Sequence, residues 1–160
     1  MKSLRAFLLI RQFEGCKLKP YKCPAGIPTI GWGSTRYPNG VRVSMKDPAI
    51  TQSKADEMLL WDLHAFETDV TMLTKSVKLT QNQFDALVEF AYNCGTDIDI
   101  DTIPEGLGDS TLLKKVLANP NDPTIANEFA KWNKGGGKVL PGLIRRRKAD
   151  ADLYFTKYRV

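Results

Sequence analysis

The sequence predicts an α+β fold in which a small antiparallel β-sheet lobe and a larger helical lobe, joined by a long helix, face each other across a cleft. Three observations carry that expectation. Hydrophobic residues recur at helical spacing at the start of the chain and again beyond residue 50. Between Pro20 and Pro48 the chain is rich in Pro and Gly and holds only short β-type runs. With 160 residues and 42% hydrophobic content, it can build one sizeable core or two small lobes sharing a helix. Residues 1–160 are therefore expected to form a single domain, with the sheet lobe over about 15–50 and the helical lobe over about 51–160 plus the N-terminal helix.

Each element has its own signal. Leu4, Phe7, Leu8, Ile10 and Phe13 recur near helical spacing, which predicts a helix over 2–13 that delivers Glu14 at its end and stops at Gly15. Thr29-Ile30-Gly31-Trp32-Gly33 and Val41-Arg42-Val43, separated by turn signals including Pro38-Asn39-Gly40, predict a small hairpin sheet. Thr51 is an N-cap for a helix to about Leu73, with Ala55, Met58, Leu59, Asp62, Leu63, Phe66, Val70 and Leu73 along one mostly apolar stripe. Thr80-Gln81-Asn82-Gln83 is a capping box for a helix that points Phe84, Leu87, Val88 and Ala91 inward and ends at Gly95. That helix is expected to be the most buried. Residues 96–109 form a loop rich in Asp and Gly, and Ser110 caps a short helix through Leu117. Asp122-Pro123 opens another helix ending near Trp132, residues 135–137 make a flexible turn, and Pro141 begins a last helix to about Tyr154.

Charge narrows the partners without choosing among them. With 23 Lys and Arg against 18 Asp and Glu, the net charge of +5 favours an anionic polymer: nucleic acid, a membrane surface or an acidic wall glycan. Residues 1–23 carry six bases against the single acid Glu14, and residues 79–113 carry seven acids and no base, which implies one basic face. Cys16, Cys23 and Cys94 lack the paired short spacings of a disulfide framework and fit a reducing compartment. The N-terminal apolar run is short, is interrupted by Arg5 and Arg11, and has no small-residue cleavage site, so it does not read as a signal peptide. No apolar run approaches the roughly 18–20 residues that span a bilayer. Synthesis in the cytoplasm is the expectation, and action on a cell wall would then need an exit route supplied by another protein.

The chemistry concentrates around Glu14. General acid–base cleavage takes a protonated carboxyl to load the leaving group and a second group across a cleft that activates water. An acid at a helix end facing a group on the adjoining sheet suits that geometry. Cys23 follows Glu14 after eight residues, and Thr29 follows Cys23 after five. A thiol with a reference pKa of about 8.5 needs help to ionise at neutral pH, and Lys22 and Lys19 are close in sequence. The Thr29 hydroxyl both donates and accepts, as orienting a water requires.

This Glu14, Cys23, Thr29 spacing, followed by Gly31-Trp32-Gly33, resembles the catalytic signature of phage endolysins of the T-even lysozyme type, glycoside hydrolase family 24, in the subset with Cys where most members have Asp. The resemblance continues through Gln83-Phe84-Asp85-Ala86-Leu87, Phe90-Ala91-Tyr92-Asn93-Cys94-Gly95, Ser110-Thr111-Leu112-Leu113, Phe129-Ala130-Lys131-Trp132 and Gly142-Leu143-Ile144-Arg145-Arg146-Arg147. It implies a lysozyme-like fold and hydrolysis of the β-1,4 bond between N-acetylmuramic acid and N-acetylglucosamine in peptidoglycan. Glu14 would be the general acid, Cys23 the thiolate base or water-polarising group, and Thr29 the water-positioning hydroxyl. Tyr92, Asn93 and Thr111 would contact sugars, and an Arg of the 145–147 run would buttress Glu14. The same resemblance implies a monomer with no metal or organic cofactor, no nucleic-acid partner, no stable membrane association, and release through a holin-type route. Ala25 stands where some relatives carry an acid, and the 96–109 loop is longer than in the T-even member.

Other readings of single features are weaker. A lytic transglycosylase would cut the same bond with one carboxyl, and a wall-binding or nucleic-acid-binding relative would need no catalytic pair. Asp97, Asp99 and Asp101 alternate like the start of a calcium loop, but Thr102 replaces the required Gly and Gly108 the closing Glu. The only histidine, His64, sits mid-helix, far in sequence from Cys23 and Cys94, against a Cys-His hydrolase or a zinc site. The run Arg145-Arg146-Arg147-Lys148, with Trp32, Tyr37 and Trp132 as stacking residues, would suit nucleic acid, although a salt-bridged helix face is its usual meaning.

Overall fold

Helix α1 (Leu4–Phe13) buries Ala6, Phe7 and Ile10 and leaves Leu4 and Leu8 exposed. These positions come from a computed structural model that describes residues 2–99 and 105–157. Glu14, and not Gly15, ends the helix: it turns extended at φ −91°, ψ 145° while its N–H still donates to the Ile10 carbonyl at 2.8 Å. Gly15 is not left-handed, so its conformational freedom goes unused.

The chain then forms an antiparallel pair, β1 (Lys17–Lys22) with β2 (Pro28–Gly31), in the register Tyr21 opposite Thr29 and Lys22 opposite Pro28, with a bulge between Lys17 and Tyr21. The expected strand over 41–43 is reduced to a single bridge, Arg36 to Arg42. Gly40, at φ 82°, closes a tight turn there, and Ser44 and Asp47 begin the next turn before pairing can extend. Strand β1 gave no clear signal in the sequence because its face is nearly all Lys and exposed.

Helix α2 (Gln52–Leu73) runs about 33 Å at about 1.5 Å per residue. Thr51 caps it as expected, its Oγ1 accepting from the Lys54 N–H at 3.1 Å. The helix serves two cores. Met58 packs with Ile30 and Val43 in the sheet lobe, whereas Leu59, Leu63 and Val70 join the main core.

Helix α3 (Gln81–Cys94) is the axis of the helical lobe, buried at every position from Asn82 to Ala91. Its capping box forms in full, and Gly95 ends it at φ 95°. Thr80→Ala is expected to cost about 1 kcal/mol, read as a lower urea midpoint with unchanged slope. The polar side chains inside this helix are satisfied over long range: Asn82 donates to the Thr156 carbonyl, Gln83 to that of Pro120, and Asp85 accepts from the Arg5 N–H.

Ser110 caps α4 (Thr111–Ala118), accepting from the Leu113 N–H at 3.0 Å. Helix α5 (Ile125–Ala130) is shorter than expected at both ends, because Asp122 accepts from the N–H and hydroxyl of Thr124 and holds an extra turn ahead of the helix. The triple glycine makes the turn of a hairpin, β3 (Lys134–Gly135) with β4 (Lys138–Val139), where Gly136 and Gly137 both take positive φ. Pro141 opens α6 (Pro141–Phe155), which packs chiefly on α3 and α5. The architecture is α+β, with the small sheet and the helical lobe joined through α2.

Candidate active site

Glu14 stands where α1 gives way to β1, and its carboxyl opens into a cleft of about 620 Å³. One wall is the loop after β2, with Trp32, Gly33, Ser34 and Thr35; the other is α2 and α3, with Trp61, Asp62, His64, Ala65, Phe66 and Tyr92. The carboxyl is a third exposed and accepts a 2.6 Å hydrogen bond from Nη1 of Arg146. Arg146 is therefore the member of the basic run that buttresses Glu14.

That run is mostly internal. Arg146 and Arg147 are 4% and 1% exposed, and both bond to Glu89, which is wholly buried on α3. Arg147 also meets Asp150 at 3.0 Å and donates to Cys94 Sγ at 2.9 Å. Burial, a hydrogen bond to Glu89 and the charge of Glu89 raise the Asp150 carboxyl well above its ordinary value, against the pull of Arg147 and Arg146. Lys148 pairs with Asp152 on the surface. Half of the four-residue basic stretch is thus withdrawn from any nucleic-acid face.

Cys23 and Thr29 come together on the sheet hairpin. The Cys23 thiol is held below its ordinary value by the Ile27 backbone first, with smaller help from the Ala25 backbone and the Thr29 hydroxyl, against a modest opposing effect of burial. Neither Lys19 nor Lys22 is among the causes, so backbone dipoles take the part expected of the lysines. Thr29 is 2% exposed, and its hydroxyl donates to the Ile27 carbonyl at 2.9 Å. Burial first, and then the charges of Cys23, Glu14 and Cys16, raise the phenol of Tyr21. Cys23 and Thr29 are not among the residues lining the 620 Å³ cleft.

The three expected sugar-contacting residues are dispersed. Tyr92 lines the cleft beside Glu14, packed edge to face on Phe66 at 5.4 Å. Its hydroxyl is committed to the Trp32 carbonyl at 2.9 Å, and burial drives its phenol well above the ordinary value. Asn93 lines a second hollow of about 360 Å³ with Cys94, Lys131, Trp132, Lys134 and Leu143. Thr111 is exposed on the first turn of α4 and lines neither hollow.

Sequence reasoning did not single out Trp61, His64 or Asp62 as cleft residues, nor Glu89 and Asp150 behind the acid. Asp62 accepts from the Ser34 hydroxyl at 2.5 Å, and burial raises its carboxyl above the usual range. A signal for Glu89 exists: it is an acid inside an otherwise enclosed helix, which calls for a buried cation. All three cysteines are free thiols. Among the described residues no group of three or more His, Cys, Asp or Glu could hold a metal ion. Asp97 Oδ2 accepts from the N–H groups of Glu105, Gly106 and Asp109. Asp101 and Thr102, which belonged to the calcium-loop reading, lie outside the described residues.

An acid at a helix end, set in a cleft between a small sheet and a helical lobe and braced by the last helix, is the arrangement of a lysozyme-like protein. The chain belongs to the phage lysozyme family, whose model matches residues 11–150. It is 41% identical over 153 residues to the endolysin of Bacillus phage B103, covering 92% of this chain and 51% of that protein. It is 38% identical over 160 residues to the endolysin of Acyrthosiphon pisum secondary endosymbiont phage 1, covering 95% of this chain and 96% of that one. The chain therefore spans about half the length of the Bacillus phage relative and nearly all of the other. Among solved structures, an endolysin from Escherichia coli O157:H7 phage FAHEc1 superposes with a TM-score of 0.80 at 36% identity, over 97% of this chain and 93% of that one.

Proposed function

We propose that the chain is a muramidase endolysin that hydrolyses the β-1,4 bond between N-acetylmuramic acid and N-acetylglucosamine in peptidoglycan, residues 1–160 acting as one catalytic domain. The observation that carries this reading is the Glu14 carboxyl, fixed by Arg146 at the cleft between the lobes. Membership of the phage lysozyme family supports it, as does a net charge of +5 suited to an anionic wall polymer.

In the proposed mechanism Glu14, protonated, gives its proton to the glycosidic oxygen as the bond to the anomeric carbon breaks. The Cys23 thiolate takes a proton from the attacking water on the other face of the sugar. Thr29 has one hydroxyl proton to place, on the Ile27 carbonyl or on the thiolate. When it turns to the thiolate, its lone pairs are free to accept from the water. Tyr92, Asn93 and Thr111 contact the glycan outside the bond being cut, Tyr92 through its ring because its hydroxyl is already bonded. No metal or organic cofactor takes part.

The protein acts as a monomer without nucleic acid, is made in the host cytoplasm, and reaches the wall through a holin-type route without stable membrane association. Among the described residues no helix is long and apolar enough to cross a membrane. Mass spectrometry of the muropeptides released from purified sacculi tests the reaction. Reducing muramic ends are expected; anhydro-muramic ends would replace hydrolysis with transglycosylation, and no release would remove the enzymatic reading.

A further inference from the structure

The Glu14 acid has a physical problem. A general acid gains and loses a proton, and Glu14 must do so with a guanidinium 2.6 Å from its oxygen. Arg146 is nearly enclosed, so if Glu14 were its only counter-ion, each protonation of Glu14 would leave a buried cation unpaired.

The cluster behind the acid answers this. Glu89 accepts from Arg146 Nε at 2.5 Å while Glu14 takes Nη1, so one guanidinium is divided between a carboxylate in the cleft and another in the core. We propose that Glu89 is a positioning residue for the acid: by holding the Nε side of Arg146 as a permanent counter-ion, it lets Glu14 gain and lose its proton without stranding a buried charge. The inference rests on the proposed role of Glu14 as the acid.

The surrounding charges fit this division. Facing Glu14 are Arg146 from α6, Tyr92 from α3, Tyr21 from β1, and Asp62 and His64 from α2. Behind Arg146 stand Glu89 and Cys94 on α3 and Arg147 and Asp150 on α6. On α5, which packs against α6, the buried carboxylate Glu128 is paired with Lys115 and Lys131. Asp150 meets Arg147 rather than Arg146, which leaves the Nε side of Arg146 to Glu89.

Glu89→Gln tests the proposal through the carboxyl-carbon NMR titration of Glu14, which does not depend on turnover. The Glu14 midpoint is expected to fall by about one pH unit relative to the wild type. The pH profile of kcat/KM should move to lower pH with it, and Glu89→Asp should restore both. If Glu89→Gln does not fold, the double variant Glu89→Gln with Arg147→Gln, which removes one charge of each sign, carries the same expectation. An unmoved Glu14 midpoint in either folded variant overturns the proposal. Failure of the wild-type protein to cut murein would instead remove the reading of Glu14 as the acid and leave the titration result standing.

Discussion

Glu14→Gln is expected to lower the rate of murein cleavage by about 10³-fold, within the range of about 10²–10⁴ for loss of a general acid. The amide has the shape of the carboxyl and its oxygen can still accept from Arg146, but it has no proton to give the leaving oxygen. Arg146 keeps Glu89 as counter-ion, so the variant should fold. Clearing of a sacculus suspension, compared at equal folded protein by circular dichroism, measures the effect. Activity near the wild-type level would remove Glu14 from the mechanism.

The second large effect is at residue 23. Cys23→Ser replaces an ionisable thiol by a hydroxyl that stays protonated, and the rate is expected to fall by about 10²-fold. Cys23→Asp supplies a carboxylate and should retain activity. The sign of the pH dependence follows from the need for the deprotonated form: activity is gained as pH rises through the thiol's value, which the Ile27 backbone already lowers, and lost as pH falls below it. In the Asp variant that dependence should move down, by less than the gap of about 4.6 pH units between reference thiol and carboxyl values because the thiol is already lowered. Two variants with near-normal rates and profiles would show that residue 23 is not the base.

The helices were legible because their apolar spacing and caps are local. Thr51, Thr80 and Ser110 each cap the helix their position implied. Strand β1 was not legible, since the lysine alternation that faces solvent carries no hydrophobic period. The extra turn at Asp122 was missed because a side chain accepting from the next residue but one competes with helix initiation.

The candidate site was legible only where chemistry follows chain order. Glu14 lies at one helix end, and Cys23 and Thr29 meet on the hairpin that follows it, so this part of the pattern could be read along the chain. Glu89 and Asp150 belong to helices far along the chain, and no local pattern announces that they meet Arg146 and Arg147. Asp62 belongs to the mostly apolar stripe of α2 and Trp61 lies next to it, and no local pattern separates the two cleft residues from the core positions around them.

The bond between Glu14 and Arg146 joins positions 132 residues apart. On the ribosome the acid and its hairpin emerge first, and the brace for the acid follows 132 residues later. A nascent chain therefore carries Glu14 through the synthesis of the next 132 residues without the side chain that braces it. Completion of the site waits for α6, so the acid is held in place only once that helix docks.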